Sequence, residues 1–104
     1  MAIETLYFSN FSDYLGSKEL GAQAREEIAL LWNDSQHIIC NFNDVHGITG
    51  AFADEAFGKM FTEKGSQEYV DKVRFHDQNP LVKTIIKCTL YQRYERMQSG
   101  GWRL

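Results

Sequence analysis

The sequence predicts an α/β layered domain, a small and mostly parallel sheet with helices packed on it. Short β-rich runs alternate with longer runs whose apolar residues recur every three or four positions, in the order strand, helix, strand, helix, strand, helix. The stretches between successive strands are long enough for βαβ crossovers. The chain of 104 residues has room for one core only. Residues 1–98 are therefore read as a single domain and 99–104 as a C-terminal tail.

Ile3 to Phe8 alternates in part and ends at polar Ser9-Asn10, which predicts the first strand. Its direction stays open, since an antiparallel partner or a hairpin would read the same way. A loop rich in Ser, Asn, Asp and Gly follows, and Ser17 is placed to cap a helix by accepting a free amide from its first turn. From Lys18, Leu20, Ala24, Ile28 and Leu31 share one face of an amphipathic helix of about four turns. His37 to Phe42 is an apolar run bounded by turn residues, the pattern of a strand buried on both faces. After a polar connection, 51–61 places Phe52, Ala56, Phe57, Met60 and Phe61 on one side of a second helix. Its early acids, Asp54 and Glu55, suit the positive end of the helix dipole. Tyr69 to Phe75 predicts a third strand, and Pro80 opens a long last helix reaching about Met97. Trp102 in the tail, with Tyr94, offers an apolar patch for self-association, so a homodimer is a further option.

Composition narrows the function. Net charge is −3, which argues against wholesale phosphate or nucleic-acid binding. The charge is unevenly divided: residues 1–55 hold nine acids and two bases, and 56–104 hold five acids and nine bases. Such a split implies orientation toward a partner. No apolar run approaches the ~20 residues of a membrane span. The start, with Glu4, lacks a secretory pattern. Cys40 and Cys88 read as buried reduced thiols, and the chain as a cytoplasmic protein.

No motif commits the chain to catalysis. Cys40, His46, His76 and Cys88 lack the close pairing of a zinc site, and no metal or cofactor is expected. Asp44 and His46 lie two apart in a loop, the one pair on which a small nucleotide- or metal-dependent enzyme could be built. Gly47 and Gly50 lead into a helix, but neither phosphate-binding glycine motif is present, and Asp44, Asp54 and Glu55 would repel a phosphate. Lys83, Lys87, Arg93 and Arg96, with Tyr91 and Tyr94, give the last helix one modest basic surface, better read as a solvated rim than as a nucleic-acid site.

The stretch from Ile39 to Phe61, with Val45-His46-Gly47-Ile48-Thr49 followed by Phe52-Ala53-Asp54-Glu55 and Phe57-Gly58, resembles the small bacterial STAS-like domain of unknown function. The helix around Gly21-Ala22-Gln23-Ala24-Arg25 fits, as does the one opening at Asn79-Pro80 and ending in Tyr91-Gln92-Arg93, so the resemblance covers roughly 16–96. It implies an adapter fold akin to anti-sigma-factor antagonists, without turnover or cofactor. In the wider class a histidine-kinase-like ATPase binds the domain and can phosphorylate a hydroxyl at the loop-to-helix junction. Here Ala51 stands at that position and carries no hydroxyl, while Asn41-Phe42 replaces the usual Asp-Phe. Thr49 is the nearest hydroxyl, better explained as a helix cap than as a displaced phosphoacceptor. The resemblance thus implies binding of a partner protein through loop 43–51 and the exposed side of helix 51–62. Thr49, Asp54 and Glu55 are expected in the contact and His46 at its rim, with Phe52, Phe57, Met60 and Phe61 holding the helix on the sheet.

Overall fold

A computed structural model of the chain describes residues 2–100. The first strand, β1 (Ala2–Tyr7), passes through a short 3-10 turn at Phe8–Asn10 to a two-residue strand, β2 (Tyr14–Leu15). Helix α1 (Lys18–Leu31) begins where expected, with the Ser17 hydroxyl accepting the Leu20 amide at 3.1 Å. Strand β3 (Ser35–Asn41) leads to a second two-residue strand, β4 (Gly47–Ile48). A continuous helical segment follows: α2 (Gly50–Ala53), a wider π-helical turn (Asp54–Gly58) and α3 (Lys59–Lys64). Helix α4 (Ser66–Lys72), strand β5 (Val73–His76) and helix α5 (Pro80–Gly100) complete the order. Of the predicted tail, 101–104 lie outside the described residues, Trp102 among them, and α5 continues through Ser99 and Gly100.

The main sheet has three strands in the order β1-β3-β5, all parallel, which settles the direction of the first strand. Crossovers between parallel strands are almost invariably right-handed, and two that advance in the same direction place both connections on one face. Burial follows this topology. On the inner face Ile38, Cys40 and Val73 are buried; on the outer face Ile3 and Tyr7 are 59% and 52% exposed. His37, Ile39 and Asn41, which stand beside them in register, are only half-buried. The expectation that the central strand is covered on both faces is therefore corrected, because no helix among the described residues reaches the outer side.

The core between sheet and helices is aromatic. Phe8 stacks on Phe42 with ring centroids 4.7 Å apart, and Phe57 meets Phe75 edge-on at 5.1 Å. Phe52, Phe57, Met60 and Phe61 are all buried, as the helical spacing predicts.

Two further expectations are corrected. The run from Tyr69 is helical until Lys72, and only Val73–His76 is strand. Gly65, at φ 91°, ends α3 in a conformation open to glycine and lets a new helix start at Ser66. That helix points Tyr69 into the core against Phe61 and Trp32, and Lys72 donates to the carbonyls of Trp32 and Ser35, tying the end of α1 and the start of β3 to α4. A buried tyrosine at helical spacing thus outweighs the partial alternation of Tyr69, Val73 and Phe75. The second correction concerns the thiols: Cys40 is buried but Cys88 is exposed on α5.

Candidate functional site: the loop 43–51 and its helix

The loop between β3 and α2 is held from two sides by backbone and amide bonds. β4 pairs with β2 in parallel, Tyr14 with Gly47 and Leu15 with Ile48. The His46 amide donates to the Asp13 carbonyl at 2.7 Å and the Thr49 amide to that of Leu15 at 3.0 Å. From the opposite side Asn79 donates to the carbonyls of Val45 and His46, while its own Oδ1 accepts the Val82 amide and caps α5. Asp44 adopts φ 66°, a left-handed turn that a short acid tolerates. Asn79 was not foreseen as a loop anchor; its place just before Pro80, where a cap is favoured, was the available signal.

Thr49 is the cap of α2. Its hydroxyl accepts the Phe52 amide at 3.1 Å and donates to the Gly16 carbonyl at 3.2 Å, so both its donor and one acceptor position are engaged inside the fold. Removing that hydroxyl by Thr49→Ala is expected to cost about 1 kcal/mol. Thr49→Ser should retain most of the stability, with urea denaturation as the readout. Around this cap Asn43, Asp44, His46, Gly50 and Ala51 are exposed. Nothing lies within 4 Å of the place a Cβ would take on Gly50, so the first turn presents a flush surface.

Asp54 and Glu55 lie differently from the expectation that they face a partner. The helical segment runs between α1 and α5, and its π turn sends the two acids to opposite flanks. Arg93 of α5 binds Asp54 through two hydrogen bonds, Nε to Oδ1 and Nη2 to Oδ2, each 2.7 Å. On the other flank Arg25 of α1 donates to the Glu55 carboxylate at 2.8 Å and to its backbone carbonyl at 2.6 Å, and Lys59 adds a bond at 3.0 Å. The Glu55 side chain is only 12% exposed, and that of Asp54 36%. Glycines make room for both clamps. A Cβ on Gly58 would collide with the Asp54 carboxylate beside Arg93, and one on Gly21 would lie 2.8 Å from Glu55 Cβ. The placement of the acids is thus explained by ion pairing across helices rather than by the helix dipole. The exposed side of helix 51–62 shrinks accordingly to Ala51, Lys59 and Thr62, with Asp54 half-covered.

The electrostatics follow the contacts. Hydrogen bonding from Arg93 holds the Asp54 carboxyl below its ordinary range, and bonds from Arg25 and then Lys59 do the same for Glu55. Arg93 is raised in turn by its bond to Asp54, so one of the four cations expected on the rim of the last helix is internal. Burial pushes the Cys40 thiol far up and keeps it protonated.

The remaining candidates are not drawn together. Asp44 and His46 are both exposed, and neither side chain has a hydrogen-bond partner among the described residues, so no third group orients the imidazole. Cys40, His46, His76 and Cys88 do not converge: among the described residues no group of three or more His, Cys, Asp or Glu side chains is placed to hold an ion. No helix among the described residues is long and apolar enough to cross a membrane.

The structure thus combines a small parallel sheet, helices on one face and a capped loop-to-helix junction after the central strand. Residues 21–83, more than half of the chain, match the model of the STAS-like domain of unknown function (DUF4325), and the chain belongs to that family. No match was found among curated proteins or among solved structures.

Proposed function

We propose that this chain is a non-catalytic regulatory adapter of the cytoplasm that binds a partner protein, a histidine-kinase-like ATPase or serine kinase. Contact is through loop 43–51 and the first turn of α2. The observation that supports this reading is the contrast at the junction. A flush exposed surface, Asp44, His46, Gly50 and Ala51, sits on a helix clamped from both flanks by Arg25 and Arg93. A surface held this rigidly loses little conformational entropy when a partner docks. Thr49 remains the nearest hydroxyl, but its bonds to Gly16 and Phe52 would have to break before it could accept a phosphate. With Ala51 at the exposed position, binding through this face is not switched by phosphorylation there.

The test compares capture from native lysate by the immobilised wild type and by Ala51→Trp, after circular dichroism and melting show both folded. Ala51 is exposed, so the indole changes the face and leaves the core intact. The wild type is expected to retain an ATP-binding protein of the histidine-kinase-like fold, and Ala51→Trp to lose it by about tenfold or more, as for a bulky intrusion at the centre of an interface. Equal retention of that protein by both forms would sink the proposal, and so would its absence from both.

A further inference from the structure

On the far edge of the sheet, away from β1, strand β5 has a neighbour on one side only. Between its free edge and α5 lies a groove of about 320 Å³. Val73, Phe75, Ile86 and Leu90 form its apolar floor, and Arg74, Lys83 and Lys87 stand exposed around it. No acid lines the groove. Among the described residues none of the three cations has an ion-pair partner; Arg74 reaches only the backbone carbonyl of Asp71. Most exposed strand edges are blunted, covered or closed. β5 is short and carries Arg74 at its edge, but its backbone on that side has no strand partner and the groove runs beside it.

We propose that this groove receives an extended acidic peptide from a partner protein, added along the free edge of β5 as a fourth strand. The chemistry of the occupant follows from the pleat. Successive side chains of an added strand point to opposite faces. Those facing inward meet Val73, Phe75, Ile86 and Leu90 and must be apolar. Those facing outward lie beside Arg74, on the face that β5 shares with the exposed side of the sheet, with Lys83 and Lys87 along the rim. Acids there satisfy three cations that otherwise have no partner. Backbone bonds to β5 supply affinity and the alternation supplies selectivity, as in other strand-addition modes. The four residues of β5 span about 13 Å, enough to register a short segment. An apolar floor and an open backbone edge suit a peptide better than a nucleic acid, which would ask for exposed stacking rings in the groove. This site lies outside the junction 43–51 and goes beyond the adapter reading.

The probe is a fluorescein-labelled octapeptide of alternating valine and glutamate, titrated with the full chain and followed by fluorescence anisotropy. Binding is expected at peptide-scale affinity, within about 1 mM. It should weaken by about tenfold or more in Lys83→Glu/Lys87→Glu, whose exposed side chains can change without disturbing the fold by circular dichroism. A peptide with lysine for glutamate, and one with alternate backbone amides N-methylated, should not bind. Ala51→Trp should bind as well as wild type, which separates failure here from failure of the adapter reading. The proposal is overturned by any of four results: no binding in this range, equal binding of the N-methylated peptide, no effect of the double charge reversal, or tighter binding of a thymidylate octamer. Protection of the groove by self-association, seen as a dimer in sedimentation with β5 exchange slowed in the free protein, would likewise overturn it.

Discussion

Phe57→Ala is expected to destabilise the domain by about 3–5 kcal/mol, among the largest effects of a single truncation in this fold. The ring is fully buried, with Phe8, Phe42, Phe52 and Phe75 around it at centroid distances of 5.1 to 6.2 Å. Four aromatic neighbours anchored on four different segments cannot all collapse into the space left behind, so the cavity term adds to the lost transfer energy. A domain of this size is stable by roughly 5–15 kcal/mol in total, so the variant should melt tens of degrees lower, at roughly 4–8 °C per kcal/mol. Thermal unfolding by circular dichroism measures it. A loss below about 1 kcal/mol would mean that the aromatic cluster is not packed as described.

Reversing one internal clamp is the second large effect. Glu55→Lys would set a cation against Arg25 and Lys59 on a side chain that is nearly enclosed, at an expected cost of about 3–5 kcal/mol. Asp54→Lys should cost less, since that carboxylate is more exposed and water screens the pair. The acids also set the acid limb of stability. Both carboxyls titrate lower in the folded chain than in the unfolded one, because arginine bonds favour their charged form. Below the unfolded values, about 3.9 and 4.3, the unfolded chain takes up protons first. The clamps therefore contribute fully above that range and are lost as pH falls through the lower folded values. Urea denaturation of the wild type should show stability falling as pH drops below about 4.3, and Arg25→Ala with Arg93→Ala should flatten that fall. An unchanged acid limb in the double variant would contradict the assignment.

The consequence for function is direct. Charge reversal at Asp54 and Glu55 disturbs the packing of α1 and α5 on the central helix, so a lost partner in such a variant would report on the fold. Ala51, exposed and uninvolved in any clamp, is the position that separates docking from stability.

What was legible in the sequence and what was not follows the range of the forces involved. Local signals located β1, α1 with its Ser17 cap, β3 and the opening of α5 at Pro80, because each rests on neighbours within a few residues. The parallel pairing of Tyr14-Leu15 with Gly47-Ile48 was not legible, since two residues carry no periodicity and the partner lies across the fold. Helix α4 was hidden by the partial alternation of Tyr69 to Phe75, and only the packing of Tyr69 on Trp32 and Phe61 decides it. The acids of the Phe-Ala-Asp-Glu stretch were visible, but their partners are 30 and 39 residues away, and a sequence does not say which arginine meets which acid. The cap at Thr49 was readable in advance because it needs only the next three residues.

The measurement that tests the central claim most directly is amide hydrogen exchange of the chain, free and with the histidine-kinase-like ATPase proposed as its partner. The adapter reading predicts slowed exchange across 43–51, above all at the Gly50 and Ala51 amides of the first helical turn, which have no intrahelical acceptor. Exchange over the outward face of α1 should not change. Protection confined to α1 or to β1, with 43–51 exchanging as in the free chain, would contradict it.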